Sequence, residues 1–156
     1  MTKVLGKLTV VLFAAMCGSF VALGEISNDS KLAGDWQSQP VRLVRGDMEE
    51  VYVFNIRLAG DERNGVMDID YFSRQAPDRR RLIRQDIVLE TDRANDQTIM
   101  AGAKPRLISG PEIIGVYEPD SLYCATADRA SDTQLACSWG SPAHGNAPVV
   151  NLSRKE

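Results

Sequence analysis

Cys124 and Cys137 are the residues of this chain best placed to bond covalently to one another. The chain holds three cysteines, and the third, Cys17, lies in a segment that reads as an export leader. Between the pair, Asp128-Arg129-Ala130-Ser131-Asp132 carries turn chemistry. A hairpin centred between Ala130 and Ser131 sets Cys124 opposite Cys137, Leu122 opposite Trp139 and Thr126 opposite Leu135. Alternation puts all six on one face, and directly opposed residues bring their Cβ atoms near enough to bridge. A metal or redox pair would want Cys-x-x-Cys or clustered histidines, and the sequence has neither. A structural Cys124–Cys137 disulfide is the expectation, stabilising the fold by roughly 3 kcal/mol through loop closure.

The other reactive residue types are dispersed. The single histidine, His144, sits in the loop-like run Pro142-Ala143-His144-Gly145-Asn146. No Gly-x-Ser-x-Gly offers it a nucleophile, and zinc would need further nitrogen or sulfur ligands. Asp68-x-Asp70 and Glu49-Glu50 are paired carboxylates. Asp68 and Asp70 alternate with Met67, Ile69 and Tyr71, which reads as a solvated outer face; a glycosidase acid needs a dry cleft. Asp61-Glu62-Asn64 has the composition of a calcium loop without the EF-hand spacing. Arg79-Arg80-Arg81 with Arg84 is the densest basic cluster. It reads as a wet turn guarding a sheet edge, the functional alternative being a patch for an anionic partner at the mouth of a hairpin. No catalytic residue, metal site or cofactor is assigned, and an enzyme is not expected.

The elements that position these residues begin with the leader. Lys3 and Lys7 precede the apolar run Leu8–Met16, Phe20–Leu23 extends it, and Ala22-Leu23-Gly24 offers small residues for cleavage. Residues 1–24 are therefore expected to be a signal peptide and 25–156 a single domain. The apolar stretch falls short of the roughly 20 residues a spanning helix needs, so no stable membrane insertion is expected after cleavage. Lipidation at Cys17 fits poorly because Met16 precedes it. The expected location is periplasmic or secreted, which also suits a disulfide. The whole chain has a formal net charge of −3, and loss of Lys3 and Lys7 makes the remainder more acidic. That balance argues against nucleic acid and anionic lipid as partners. The sequons at Asn28 and Asn151 act only in a eukaryotic secretory route, whereas the leader looks bacterial.

Period-two alternation dominates after the leader. Tyr52, Phe54, Ile56 and Leu58 share one face; Met67, Ile69 and Tyr71 share another; Ile83, Ile87 and Leu89 oppose Arg84, Asp86 and Glu90. Gly60–Gly65, with its Asn-Gly, divides the first two runs; Ala76-Pro77-Asp78 divides the next two; Asp92–Asp96 closes the third. Thr98–Ala103 and Arg106–Ser109 flank Pro105, which breaks or edges a strand. Strands over Glu112–Glu118, Ser121–Ala127, Thr133–Trp139 and Val149–Ser153 complete the series, with a loop over Ser141–Ala147. Eight or nine short strands and no helices predict an all-β fold, an antiparallel eight-stranded barrel with a β-sandwich as the alternative.

Leu32-x-Gly34-x-Trp36 at the start of the first strand resembles the entry motif of lipocalins. The resemblance implies that Trp36 closes one end of a barrel and that an arginine near the chain end, here Arg154, packs over it. Gly115-Val116-Tyr117-Glu118, Leu122-x-Cys124 and Val149–Lys155 are similar to a bacterial family of exported lipocalin-like domains with no assigned function. The segment between Tyr117 and Cys124 is shorter than in that family, and Cys137 is not part of its pattern.

Tyr52, Phe54, Ile56, Leu58, Met67, Ile69, Tyr71, Ile83, Ile87, Leu89, Tyr117 and Leu122 are the residues expected to line the interior. Such a barrel either fills with side chains or holds one small ligand. The leading expectation is a small apolar ligand oriented by hydroxyls such as those of Tyr71 or Tyr117. The alternative is a periplasmic interaction or inhibitor module that meets an envelope protein through Arg79–Arg81 and the Ser141–Ala147 loop.

Overall fold

The computed structural model describes residues 31–60, 63–112, 117–125, 131–140 and 147–156. The expected signal peptide, His144, most of the Ser141–Ala147 loop and residues 126–130, Thr126 included, lie outside the described residues. Alternating greasy and polar positions produce nine strands: β1 (Gly34–Ser38), β2 (Val41–Arg45), β3 (Met48–Leu58), β4 (Asn64–Ser73), β5 (Ala76–Asp92), β6 (Gln97–Ser109), β7 (Leu122–Ala125), β8 (Gln134–Trp139) and β9 (Val149–Arg154). In β3 the pattern is plain: Phe54, Ile56 and Leu58 are buried while Arg57 is exposed, so one pleat face packs and the other is wet.

The hydrogen-bonded order is β1-β9-β8-β7-β6-β5-β4-β3-β2, every pairing is antiparallel, and β1 also pairs with β3. That last pairing closes eight strands into a barrel, with β2 as one extra strand. Trp36 lies at the seam, opposite Ile56 on β3 and Arg154 on β9. Along the edge away from β4, β3 serves two partners, β1 along Asn55–Leu58 and β2 along Met48–Tyr52. Gln39-Pro40 separates them, and Pro40 brings no backbone donor to the ladder. At this break the Phe54 N–H donates instead to the buried Ser38 Oγ at 2.9 Å.

The core is one cluster running the length of the barrel, from Leu32 and Trp36 through Phe54, Met67, Ile69, Ile87 and Met100 to Leu122, Val150 and Leu152. At the Trp36 end the indole Nε1–H donates to Leu32 O at 2.8 Å. The Arg154 guanidinium lies 4.5 Å above the ring and donates to the carbonyls of Lys31, Ala33 and Asp132.

Cys124 and Cys137 form the disulfide, and the expected register holds where it is described: Cys124 faces Cys137 and Leu122 faces Trp139. Other local expectations need correction. The β4–β5 turn is Arg74-Gln75, and Ala76-Pro77-Asp78 already belongs to β5, because Ala76 pairs with Ser73. Asn64-Gly65 opens β4 and does not form the hairpin tip. Pro105 does not divide two strands: β6 runs through it beside a register shift opposite Arg84–Asp86, where β7 no longer pairs. Glu112, Tyr117 and Glu118 are not in a strand, and residues 113–116 lie outside the described residues. β2 was not anticipated from the sequence.

Candidate functional site

Opposite the Trp36 end, the strands bring aromatic and acidic side chains to one mouth. Tyr52 and Tyr71 are directly opposed on β3 and β4, with ring centroids 4.9 Å apart. Trp139 on β8 meets Tyr52 edge-on at 4.5 Å and Phe54 at 5.2 Å. Both tyrosine hydroxyls donate to one carboxylate, Tyr71 to Glu50 Oε1 and Tyr52 to Glu50 Oε2, each at 3.0 Å. Burial first, and then these bonds to an anion, push both phenol pKa values above the ordinary tyrosine range. The Arg81 guanidinium lies 5.6 Å from the Tyr71 ring centroid and donates to Pro111 O at 2.9 Å.

A second polar group sits across the mouth. Gln85 is fully buried on the inward face of β5. Its Nε2 donates to Asp120 O at 2.6 Å, and its Oε1 accepts from Asp120 N at 3.0 Å. The amide thus stands in for a neighbouring strand where β7 has not begun. Gly102 makes room: a Cβ there would overlap both Asp120 O and the Gln85 amide. The Asp120 carboxylate accepts from Trp139 Nε1 at 2.7 Å. Burial holds its pKa above the ordinary carboxylate range, and the indole bond only partly offsets that. Tyr117, three residues before Asp120, has a buried hydroxyl with no hydrogen-bond partner among the described residues.

The expected lining residues divide into two groups by exposure. Phe54, Ile56, Leu58, Met67, Ile69, Ile87, Leu89 and Leu122 are buried, and Phe54, Met67 and Leu122 have no accessible surface from either side. Tyr52, Tyr71, Ile83 and Tyr117 retain partial exposure. The first three of these belong to the mouth. Gln85, Glu50, Asp120 and Trp139 were missed as site residues. Gln85 was legible in one respect, since it occupies the inward register between Ile83 and Ile87.

The arginine cluster is not a turn and does not form a single patch. It lies within β5, where alternation sends successive side chains to opposite faces. Arg80 pairs with Asp70 on the outer face, and Arg81 turns inward over Tyr71. Arg84 makes two bonds to Asp68 at 2.6 and 2.8 Å, and Arg106 meets Asp86 at 3.3 Å. The Asp68-x-Asp70 pair is therefore held by arginines on an outer face. Exposed pairs of this kind contribute at most about 1 kcal/mol each.

Among the described residues, no three His, Cys, Asp or Glu side chains are grouped to hold a metal ion. No helix among them is long and apolar enough to cross a membrane. No protein-family model matches the chain, and no curated protein was found as a relative.

Proposed function

We propose that this barrel is a non-enzymatic binder of a small, mainly apolar molecule, seated at the Tyr52–Tyr71 mouth. The carrying observation is the split in exposure: the deeper lining residues are buried, at most 4% exposed, while Tyr52, Tyr71 and Ile83 keep surface at one end. A ligand there would bury apolar area at roughly 25 cal/mol per Å². The Glu50-bound tyrosines hold the aromatic wall rigid, which lowers the ordering cost of binding.

The barrel with its Trp36–Arg154 closure supports a lipocalin-like relationship as the reading of its ancestry. The disulfide favours an oxidising compartment, and with the leader it supports export to the periplasm or beyond. Native mass spectrometry of the protein purified from an exporting host tests the binding reading. A retained small molecule, lost from Tyr52→Ala and Tyr71→Ala variants that remain folded, is the expected result. A protein that arrives empty, and whose tryptophan emission is unmoved by a panel of apolar probes, overturns it.

A further inference from the structure

We infer that the free edge of β2 is a docking site for an extended segment of a partner protein in which acidic and apolar residues alternate. This inference does not rest on the small-molecule reading: it uses the β2 edge and a neighbouring cleft that shares Trp139 and Asp120 with the mouth. Among the described residues β2 is the terminal strand of the sheet and pairs with β3 alone. Its hairpin turns through Gly46-Asp47, with Arg45 and Met48 as the closing pair. In a two-residue hairpin the closing pair is hydrogen-bonded, and bonding alternates from there. Arg42 and Val44 therefore turn their N–H and C=O groups away from β3. A row of such groups is a template for another strand.

What lies beside the edge gives the partner its chemistry. A cleft there is lined by Leu43, Val44, Arg45, Asp120, Trp139 and Pro148, and Val44 is 73% exposed. The Arg42 and Arg45 side chains are 64% and 69% exposed and reach Glu49 and Glu50 only at 3.8 and 3.9 Å. Those carboxylates are engaged more closely elsewhere, Glu49 by Arg74 at 2.9 Å and Glu50 by two tyrosine hydroxyls at 3.0 Å. Arg42 shares the outer face of β2 with Val44, whereas Arg45 lies on the Leu43 face, so the Arg42 guanidinium is the one that can take a tighter acidic partner there. An added strand alternates as β2 does. Its acids would lie on the Arg42 face, and its apolar residues would rest on Leu43, Trp139 and Pro148.

The probe is the peptide acetyl-(Glu-Val)4-amide, titrated into the full chain and followed by tryptophan emission. Trp36 is buried under Arg154 and Trp139 lines the cleft, so the signal reports on the edge. Saturable binding is expected, with no binding of acetyl-(Lys-Val)4-amide. Arg42→Glu should weaken it by about tenfold or more. Val44→Pro should do the same, because it removes an outward N–H without touching the β3 ladder. A peptide N-methylated at alternate residues probes the same edge with the native protein and should also fail. Equal binding of the lysine peptide, indifference to N-methylation, or no saturation at millimolar peptide overturns the inference. So does a concentration-dependent dimer in sedimentation velocity that Val44→Pro abolishes, which would assign the edge to a second copy.

Discussion

The side-chain amide of Gln85 and the backbone of Asp120 exchange two hydrogen bonds, at 2.6 and 3.0 Å, inside the rim of the barrel. Gln85 thereby extends the sheet by one strand position without a strand. Substituting Gln85→Leu keeps the volume and strands the Asp120 N–H and C=O. The expected cost is about 2–4 kcal/mol in urea unfolding, accompanied by a blue-shifted or broadened Trp139 signal. Gly102→Ala should act on the same contact, and the double variant should cost less than the sum of the two.

Asp120 sets a pH dependence whose sign is fixed. Burial raises its carboxyl pKa in the folded protein, so the folded state binds that proton more tightly than the unfolded chain. The associated stability is full below the unfolded-chain pKa and is lost as pH rises through the folded value. Asp120→Asn keeps an acceptor for Trp139 and removes the charge. It should raise the urea midpoint at neutral pH and flatten the pH profile on the acid side. An unchanged profile would remove Asp120 as its source.

Glu50 governs the alkaline limb. Tyr52 and Tyr71 ionise above the ordinary phenol range because of burial and their bonds to Glu50. Above the unfolded tyrosine pKa, of about 10, the unfolded chain ionises first, and stability falls with further rise in pH. Ultraviolet titration should find Tyr52 and Tyr71 delayed. Glu50→Gln should bring both back toward the ordinary range.

Arg154 holds the closed end together through Trp36 and three backbone carbonyls. Arg154→Ala leaves those carbonyls and the indole face without a partner, and about 2–4 kcal/mol should be lost on thermal or urea unfolding. Arg154→Lys should recover only part, because an ammonium cannot span three carbonyls as a planar fork does.

Reducing the disulfide should cost roughly 3 kcal/mol. Cys124 and Cys137 are both buried in the core cluster, so the Cys124→Ala/Cys137→Ala pair separates the loss of the cross-link from the loss of packing. Reduced protein and double variant should unfold at similar denaturant concentrations, below that of the oxidised form. Identical midpoints for all three would show that the bond adds nothing.

Alternation is a local property, and the residues that obey it were readable one strand at a time. Phe54, Ile56, Met67, Ile69 and Ile87 turn inward because each follows its neighbour by two positions. Cys124 and Cys137 meet because a short hairpin leaves few registers open to them. The resemblance of Leu32-x-Gly34-x-Trp36 to a lipocalin entry motif pointed to Trp36 and Arg154, but periodicity alone could not have paired residues at opposite ends of the chain.

Long-range closure decided the rest. β3 had to be shared between β1 and β2 before a ninth strand, a free edge and a cleft could exist. Arg79-Arg80-Arg81 looks like one patch in a linear reading, and the pleat of β5 sends neighbours to opposite faces, Arg80 to Asp70 and Arg81 over Tyr71. Gln85 needed a backbone from 35 residues further along the chain to satisfy it. Glu50 became a receptor for two hydroxyls only once β3 and β4 had paired in register. A chain specifies which side chains avoid water through nearest-neighbour chemistry. Which of them meet, and at which end of the barrel surface is left over, is settled by register, bulges and closure, where each pairing depends on all the others.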